Sequence, residues 1–522
     1  MTGAVGHFHG GLHLDDNKAC SMQTPIGTAT LPKTLVIPLQ QHIGVEPEPI
    51  VSPGDKVKKG QLIADSDAVL TAAVHAPSSG TITAIEEHAI PHPSGLAARC
   101  IIIETDGKDE WLDKPEGHPE YQALSPEQLQ TIIRQAGIVG LGGAGFPSHI
   151  KLHSTQDKKV TTLILNGAEC EPYITCDAML MQERPRDVLD GLNIMRHAIQ
   201  AERCLIGIED NKSAAIEALN AALTNEEKDY IEIISVPTLY PSGGEKQLIK
   251  LLTNRELPNR QLPIDIGVVC HNVGTAIAVA DAVIKGIPLI SRTITITGGA
   301  IDRPQNMQAL IGTPMQHLLS ACDLRTDKLQ RLLMGGPMMG FEIKQFDTPV
   351  VKTTNCLLAL DKYETGREQH ALPCIRCGEC AVVCPAQLLP QQLYWWAKAK
   401  DFDKTQEYKL FDCIECGCCA YVCPSHIPLV QYYRFAKTEI RQQEKDRKKS
   451  DHARDRHDFR QLRMERKKQE DEERKRKKKE LLKKANASED ESKKSAIDAA
   501  MARVKAKKQQ QLEENSGKDK QP

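Results

Sequence analysis

Apolar and polar residues over positions 120–290 fall into two kinds of segment that alternate along the chain. SPEQLQTIIRQAG (125–137) is predicted to be a helix, because Ser125 suits the N-cap, Pro126 the first turn and Gly137 the C-terminal end. Apolar, β-branched runs predict buried strands at VTTLILNGAE (160–169), RCLIGIE and IEIISVP. NKSAAIEALNAAL and GTAIAVADAVIKG are predicted helices. Strands that alternate with helices indicate an α/β domain with a largely parallel sheet.

Residues 25–105 have a different pattern, made of short β segments and turns. VSPGDKVKKGQLIA and VHAPSSGTITAI each join a Pro-containing turn to alternating apolar residues. The two half-motifs resemble the barrel-sandwich fold of biotinyl and lipoyl carrier domains. Those carriers hold a modified lysine on the hairpin between the halves, whereas DSDAVLTAAV (65–74) has none. The resemblance therefore implies the fold without the carrier function, in a domain used for packing or docking.

The segment SRTITITGGAIDRPQNMQALIGTPMQHLL (291–319) changes character again. It has a short strand, a turn, a Gly-Thr-Pro and then a helix. This order resembles a soluble-ligand-binding β-grasp module, which would be a small third domain.

Charge is distributed unevenly although the net charge is only −2. Residues 439–484 carry 20 Lys and Arg against 12 Asp and Glu, so this segment is basic while the preceding body is mildly acidic. The composition of this C-terminal tail predicts a solvated single helix or disorder, and not a packed core. Phe459 is the one aromatic residue among the basic runs, so contact with acidic lipid or a partner is favoured over nucleic-acid binding.

The sequence contains no apolar run near the 18 or so residues that a membrane span needs. MTGAVGHFHGGLHLDD at the start lacks the charged-then-apolar plan of a signal peptide. We therefore expect a cytoplasmic protein whose membrane association comes from a partner or from the tail.

Cysteines provide the strongest chemical signal. Nine of the 17 lie between Cys374 and Cys423, and clustered cysteines in a reducing compartment indicate metal. CIRCGECAVVCP and CIECGCCAYVCP both read C-x2-C-x2-C-x3-C-P, the spacing of bacterial ferredoxins. Zinc is the alternative, but zinc sites usually have two C-x2-C pairs separated by a long loop. The repeat therefore predicts two [4Fe-4S] clusters.

In such runs the fourth cysteine ligates the other cluster. Cys418 lies outside the pattern and is predicted not to be a ligand. The predicted metal ligands are Cys374, Cys377, Cys380 and Cys423 for the first cluster, and Cys413, Cys416, Cys419 and Cys384 for the second.

The stretch GIVGLGGAGFPSHIK (137–151) formally matches G-x-G-x-x-G at Gly140, Gly142 and Gly145. A dinucleotide fingerprint follows a strand, but this loop follows a predicted helix, so the ordinary Rossmann interpretation is rejected. Bare loop amides and the charge of Lys151 nevertheless suit an anion such as a phosphate.

The motifs GLGGAGFPSHIK, NGAECEP, YPSGGEK and HNVGT occur in the order and spacing of the NADH-binding flavoprotein subunit of respiratory complex I. With the N-terminal β domain and the two-cluster module added, residues 1–440 resemble the C subunits of Rnf/Rsx ion-translocating electron-transport complexes. Three positions depart from the complex I pattern: Leu141 replaces an arginine, Ala168 an acidic residue and Lys246 a second glutamate.

The resemblance implies a set of cofactor-binding residues, with NADH near Phe146 and Glu171. The residues implied to hold FMN are Gly140, Gly142, Gly143, Lys151, Asn166, Glu169, Tyr240, Gly244, Glu245, His271, Asn272 and Thr275.

The expected architecture is multidomain, α/β and α+β. It comprises an N-terminal extension (1–24), a barrel-sandwich β domain (25–110), a Rossmann-like FMN and NADH domain (120–290), a β-grasp module (291–345), a helical ferredoxin-type dicluster domain (360–437) and a charged tail (438–522).

The resemblance implies a peripheral subunit on the cytoplasmic side of a bacterial inner membrane. It would pass electrons between NADH and a ferredoxin-like or other redox partner, beside membrane-embedded and peripheral subunits that couple the transfer to ion translocation. No catalytic side chain is expected, because the cofactors carry the redox chemistry. The alternatives are a soluble flavin and iron–sulfur reductase, such as a cobalamin reductase, and an assembly scaffold whose flavin site has decayed.

Overall fold

The structure, a computed structural model, describes residues 5–153, 159–259, 261–366 and 370–516. Residues 1–4 of the expected extension and 517–522 of the expected tail lie outside these ranges. The chain forms two compact units, residues 1–437 and 438–522.

The N-terminal β domain consists of two small antiparallel sheets. The strands in this part of the chain are β1 (Gly27–Thr28), β2 (Thr34–Pro38), β3 (Glu48–Pro49), β4 (Lys56–Val57), β5 (Leu62–Asp65), β6 (Val74–His75), β7 (Gly80–Ala89) and β8 (Ala97–Thr105). Strand β1 lies apart from both sheets. One sheet has the order β2-β8-β7-β4 and the other β3-β5-β6. Leu35, Ile63, Ile82 and Ile101 come from both sheets and form one buried core. The barrel-sandwich expectation is thus confirmed at the level of the two facing sheets.

The α/β domain contains a parallel sheet with helices on its faces. Its strands are β9 (Thr162–Gly167), β10 (Arg203–Glu209), β11 (Ile231–Val236) and β12 (Val268–Asn272), in the order β11-β10-β9-β12. Its helices are α1 (Pro126–Gln135), α2 (Ser148–Lys151), α3 (Cys176–Glu183), α4 (Pro185–Ile199), α5 (Ser213–Ala222), α6 (Glu245–Thr253) and α7 (Val273–Lys285). Along β9, Leu163 and Leu165 enter one core and Ile164 the other, because successive side chains of a strand point to opposite faces. The continuous apolar runs therefore reflect a sheet that is covered on both sides.

The predicted helix start at Ser125 is confirmed. Ser125 and Gln128 form a reciprocal capping box, and Pro126 occupies the first turn of α1.

The third sheet is larger than the sequence suggested. It comprises β13 (Ser291–Thr297), β14 (Gln305–Leu310), β15 (Arg331–Met334), β16 (Phe341–Glu342) and β17 (Cys356–Leu360), with helix α8 (Met315–Ala321) beside it. Its order is β1-β14-β13-β17-β15-β16, so β17 extends this region beyond the expected end at residue 345. Strand β1 pairs with β14 and so belongs here, although its position in the sequence predicts a place within the barrel-sandwich domain.

The cysteine region is built of short helices: α9 (Lys362–Thr365), α10 (Glu379–Val382), α11 (Pro390–Ala399), α12 (Phe402–Glu407) and α13 (Cys418–Tyr421). In the described part of the first unit there are also five 3-10 turns: Ala19–Met22, Tyr121–Ala123, Glu227–Asp229, Pro263–Ile266 and Leu410–Asp412.

Helix α14 (Leu429–Ser516) begins in the first unit, and its residues from Thr438 onward belong to the second. Of the two forms expected for the tail, the structure has the helix, and its side chains from residue 441 to 513 are exposed. Among the described helices, none is long and apolar enough to cross a membrane.

Candidate cofactor sites

The glycine loop connects α1 to the short helix α2. The Gly140 amide donates to the Phe146 carbonyl at 2.8 Å, and the Gly145 amide donates to the Gly140 carbonyl at 3.1 Å, which closes the loop on itself. Within the described part of the chain, the amides of residues 142–144 donate no hydrogen bond. The loop follows a helix, as predicted, and offers three free donors to an anion.

This loop forms one wall of a cavity of about 480 Å³, a size usual for small-molecule sites. Gly143 lies in the loop with φ of +104°, outside the cavity lining. Thr275 lies behind the loop, where its hydroxyl accepts the Leu141 amide at 2.9 Å. The other twelve predicted cofactor residues line the cavity: Gly140, Gly142, Phe146, Lys151, Asn166, Glu169, Glu171, Tyr240, Gly244, Glu245, His271 and Asn272.

Three buried polar atoms on the cavity wall have no hydrogen-bond partner among the described residues. They are Nε2 of His271, Oε1 of Gln247 and Oγ of Ser148. Burial lowers the pKa of His271 to about 3, so its imidazole is neutral. Because an unsatisfied buried polar group costs about 1–3 kcal/mol, a ligand with its own polar atoms is expected here. The cavity therefore fits a group with the size and hydrogen-bonding capacity of FMN.

Lys151 brings a positive charge to the cavity that the glycine loop also lines. Lys151 Nζ lies 2.7 Å from Glu245 Oε1 and 3.2 Å from the carbonyl oxygen of Cys270. Burial opposes this charge, but the Glu245 carboxylate and the Cys270 side chain together outweigh burial, so that the pKa of Lys151 is raised. An ammonium and three free amides together suit a phosphate group.

Another part of the cavity wall is acidic. Glu169 has φ of +41°, and its carboxylate accepts the amides of Asp177 at 2.7 Å and Ala178 at 3.2 Å, at the start of α3. Asn272 caps α7 through Thr275 and donates to Asp177 Oδ2 at 2.6 Å. Burial and the neighbouring charge of Glu169 raise the pKa of Asp177.

Glu171 is the predicted NADH-side carboxylate. It accepts the amides of Met338 at 3.2 Å and Met339 at 2.7 Å. Burial nevertheless raises the pKa of Glu171 to about 7. This group can therefore change its charge near neutral pH.

The cysteines lie around two further cavities. The four cysteines of each predicted set share one cavity, and the fourth cysteine is exchanged between the two repeats. One cavity, of about 510 Å³, is lined by Cys374, Cys377, Cys380 and Cys423. The other, of about 20 Å³, is lined by Cys384, Cys413, Cys416 and Cys419, and also by Cys418.

The spacing of the sulfur atoms does not suit zinc. Among the described residues, only Glu169, Cys176 and Asp177 bring three possible ligand atoms within 4.8 Å of one another. Four sulfurs bound to one zinc ion at about 2.3 Å would lie within roughly 4 Å of one another. The first cysteine set leaves room for a larger group, as an iron–sulfur cluster requires.

The two repeats share a backbone conformation. Arg376 and Glu415 have φ of 59° and 60°, and Gly378 and Gly417 have φ of 88° and 83°. Each glycine is followed by a four-residue helix, α10 or α13, that holds the third cysteine of its repeat. The same sequence pattern thus makes the same local turn twice.

The second cysteine repeat also forms part of the wall of the 480 Å³ cavity. Ile414 lines that cavity, and the hydroxyl of Tyr240 donates to the Cys416 carbonyl at 2.6 Å. Cys418, predicted not to be a ligand, is fully buried in the same apolar cluster as Tyr240. The sequence did not predict that Ile414 lines the cavity or that Tyr240 bonds Cys416. It could have identified Ser148 as a cavity residue, because Ser148 lies inside the glycine motif.

The three departures from the complex I pattern have separate structural roles. Leu141 is buried, and its carbonyl accepts a hydrogen bond from the buried guanidinium of Arg292 at 3.4 Å. The carbonyl of Ala168 accepts Lys212 Nζ at 2.8 Å. Lys246 lies 3.7 Å from Asp412, the residue before Cys413, so its charge faces the second repeat.

Three family models match the chain. They are the Nuo51 FMN-binding domain over residues 133–281, the RnfC barrel sandwich hybrid domain over 6–108 and a 4Fe-4S dicluster domain over 373–427. The matches agree with the three domains and confirm FMN and [4Fe-4S] clusters as the cofactors of the matched domains.

Similar proteins are described as the C subunits of ion-translocating oxidoreductase complexes. The relative from Pseudomonas aeruginosa is 50% identical over 463 residues, which cover 89% of this chain and 59% of the relative. The relative from Vibrio cholerae is 46% identical over 410 residues, 78% of this chain and 52% of the relative. The relative from Cronobacter sakazakii is 48% identical over 504 residues, which cover 97% of this chain and 63% of the relative. The chain thus spans less than two thirds of these relatives.

Two solved structures of an NAD+-reducing [NiFe]-hydrogenase also match. The air-oxidized state has a TM-score of 0.42 at 20% identity, covering 54% of each chain. The H2-reduced state has a TM-score of 0.43 at 19% identity, covering 63% of this chain and 64% of the other.

Proposed function

Because the chain is a homologue of the C subunits of ion-translocating oxidoreductase complexes, we propose that it is the redox subunit of such a complex, linking NADH to electron transfer. The observation that carries this proposal is the cavity of about 480 Å³ that is bounded by both the glycine loop and the second cysteine repeat. A flavin in that cavity would lie next to a cluster, as one-electron transfer between them needs.

The residues of the cavity divide the work of binding. The free amides of residues 142–144, of which Gly142 and Ala144 line the cavity, would hold the FMN phosphate together with the ammonium of Lys151. His271 Nε2 and Gln247 Oε1, which have no partner among the described residues, bond the polar atoms of the flavin. Phe146 and Glu171 form the side that receives NADH.

Bound FMN would supply hydride acceptance from NADH, two electrons with one proton, and release of those electrons one at a time to [4Fe-4S] clusters. Ile414 and Tyr240 hold the second cysteine set next to the flavin cavity, so a cluster held by this set would be the one nearer to the flavin. The first set includes the exposed Cys377, so a cluster held there would be the one open to a partner protein. Flow in the opposite direction uses the same order in reverse.

The proposed setting is the cytoplasmic side of a bacterial inner membrane. Membrane-embedded and peripheral subunits of the complex are the partners, and they carry the coupled ion movement. A ferredoxin-like protein is a further proposed partner.

Anaerobic purification followed by iron and flavin analysis and an NADH titration tests this function. We expect about eight iron atoms and one FMN per chain, together with loss of flavin absorbance on addition of NADH. A chain that holds the iron but no flavin, and whose absorbance does not respond to NADH, would contradict the proposed function and favour the scaffold alternative.

Cell fractionation separates a membrane complex from a soluble reductase. We expect the chain in the membrane fraction when the other subunits of the complex are present. Recovery in the soluble fraction alone, with those subunits present, would favour the soluble reductase.

A further inference from the structure

An extended N-terminal segment, residues 5–18, contacts both cofactor sites. We refer to it as the N-terminal strap. At one end, the Gly11 amide donates to the Val383 carbonyl at 3.1 Å, and His9 Nδ1 lies 3.1 Å from the Cys384 carbonyl oxygen. Because a carbonyl only accepts, His9 Nδ1 carries the proton. Cys384 is the cysteine that the first repeat contributes to the second set.

The middle of the strap is attached to the flavin cavity. Leu12 and Tyr240 exchange two backbone hydrogen bonds, from the Leu12 amide at 2.8 Å and from the Tyr240 amide at 2.9 Å. Tyr240 lines the cavity and also bonds Cys416. The strap therefore joins the cavity wall to both repeats that form the second cysteine set.

Lys18 fastens the other end of the strap. Its side chain is buried, and Nζ donates to the carbonyls of Glu169 at 3.0 Å, Glu171 at 2.8 Å and Ile174 at 2.5 Å. These residues form the acidic wall of the cavity. Burying an ammonium costs free energy unless its N–H donors are hydrogen-bonded. The three carbonyls around Lys18 Nζ therefore hold the Glu169–Ile174 loop in a single arrangement.

Two glycines let the strap pass between its neighbours. Gly10 has φ of +67°, and a Cβ there would lie 2.6 Å from the Val383 carbonyl carbon. Gly11 has φ of +90°, and a Cβ there would lie 2.8 Å from the Tyr240 carbonyl oxygen. Ordinary contacts start near 3.4 Å, so a methyl group at Gly10 would move the strap and the Val383–Cys384 turn apart by nearly 1 Å.

We propose that the N-terminal strap is a positioning element that sets the separation of the flavin cavity and the second cysteine set, with Gly10, Gly11 and Lys18 as its positioning residues. The proposal rests on the proposed function for its consequence, electron transfer between the two sites. Its structural part, the attachment of the strap, does not depend on NADH.

The test compares Gly10→Ala with Gly95→Ala in the full chain carrying its cofactors. Gly95 has nearly the same φ, +66°, but open space around its Cβ position, so both variants share the backbone strain and only Gly10→Ala pushes against the turn. Stopped-flow absorbance separates the reduction of FMN by NADH from the later reduction of the clusters.

For Gly10→Ala we expect flavin reduction within twofold of the wild-type rate and cluster reduction slowed by more than twofold, because the rate of electron transfer falls as the distance between donor and acceptor increases. Gly95→Ala should match the wild type in both steps. Cluster reduction by Gly10→Ala within twofold of the wild-type rate would overturn the proposal.

Hydrogen exchange gives a readout that needs no electron transfer. The amides of Gly11, Leu12 and Tyr240 should exchange at least tenfold faster in Gly10→Ala, and unchanged exchange at all three would also overturn the proposal. If the wild-type flavin did not respond to NADH, the proposed function would fail, while exchange would still decide the attachment of the strap.

Lys18→Met provides a second variant at the other end. It should lower the FMN content of the purified chain by half or more, because the Glu169–Ile174 loop loses its attachment, while iron content stays at the wild-type level. Full FMN content in a folded Lys18→Met chain would contradict the role given to Lys18.

Discussion

Replacing Lys151 with glutamine tests the phosphate end of the flavin cavity. The substitution removes the ammonium beside the free amides of residues 142–144 and keeps a side chain of similar length. It also leaves Glu245, 2.7 Å away, without its cationic partner. The Glu245 carboxylate would then face the FMN phosphate, so the variant loses an attraction and gains a repulsion.

The size of the effect follows from the exposure of the two groups. A hydrogen bond to a charged group contributes about 1.5–3 kcal/mol, which is roughly a 10- to 150-fold change in Kd. The Lys151 side chain is 35% exposed and that of Glu245 40% exposed, so water screens their charges. We therefore expect the lower part of this range, a Kd for FMN raised about 10- to 30-fold.

Titration of flavin-depleted protein with FMN, followed by flavin fluorescence, measures the change. Lys159→Gln is the matched control, because Lys159 forms an exposed ion pair with Glu202 at 2.6 Å. The double variant Lys151→Gln with Glu245→Gln should recover part of the affinity, since it removes the repulsive carboxylate. The difference between wild type and Lys151→Gln should shrink as salt is added. A Kd for Lys151→Gln within twofold of wild type would refute the assignment of Lys151 to the phosphate.

Three further predictions concern the cysteines, a helix cap and a buried lysine. Cys384→Ser should lose about half of the iron whereas Cys418→Ser keeps all of it, and equal iron contents would contradict the exchanged ligand sets. Asn272→Ala removes the N-cap of α7 and the bond to Asp177, so urea denaturation should show a loss of about 1–2 kcal/mol, and an unchanged midpoint would argue against the cap. Burial lowers the pKa of Lys352 from 10.5 to about 7. Between these two pH values the unfolded chain binds one proton more than the folded chain, so the free energy of unfolding should rise with pH. Relative to Lys352→Met, the rise should be at most about 1.4 kcal/mol per pH unit. A stability difference that stays constant from pH 7 to pH 10 would show that Lys352 does not titrate as inferred.

Short-range patterns along the chain determined much of the fold. The cysteine spacing predicted two interlocked sets of four, because a C-x2-C-x2-C-x3-C-P run dictates its own turn and the repeats take the same backbone conformation. The predictions of the Ser125 cap and of the apolar strands of the parallel sheet were also correct, because caps and β-branched runs depend on residues that are near in sequence. The motif order suggested the cofactor residues, and twelve of the fourteen line one cavity.

The tertiary structure alone decided which distant segments meet. Strand β1 joins the third sheet rather than the barrel-sandwich domain, and β17 extends that sheet to Leu360. Ile414 reaches the flavin cavity, and His9 contacts Cys384 across 375 positions of sequence. Such contacts depend on how whole domains pack, and the spacing of residues along the chain does not specify that packing. The sequence by itself therefore determined the local turns and helices of this protein and predicted its two cysteine sets, whereas only the folded chain brought the strap, the cavity and the second cysteine set together.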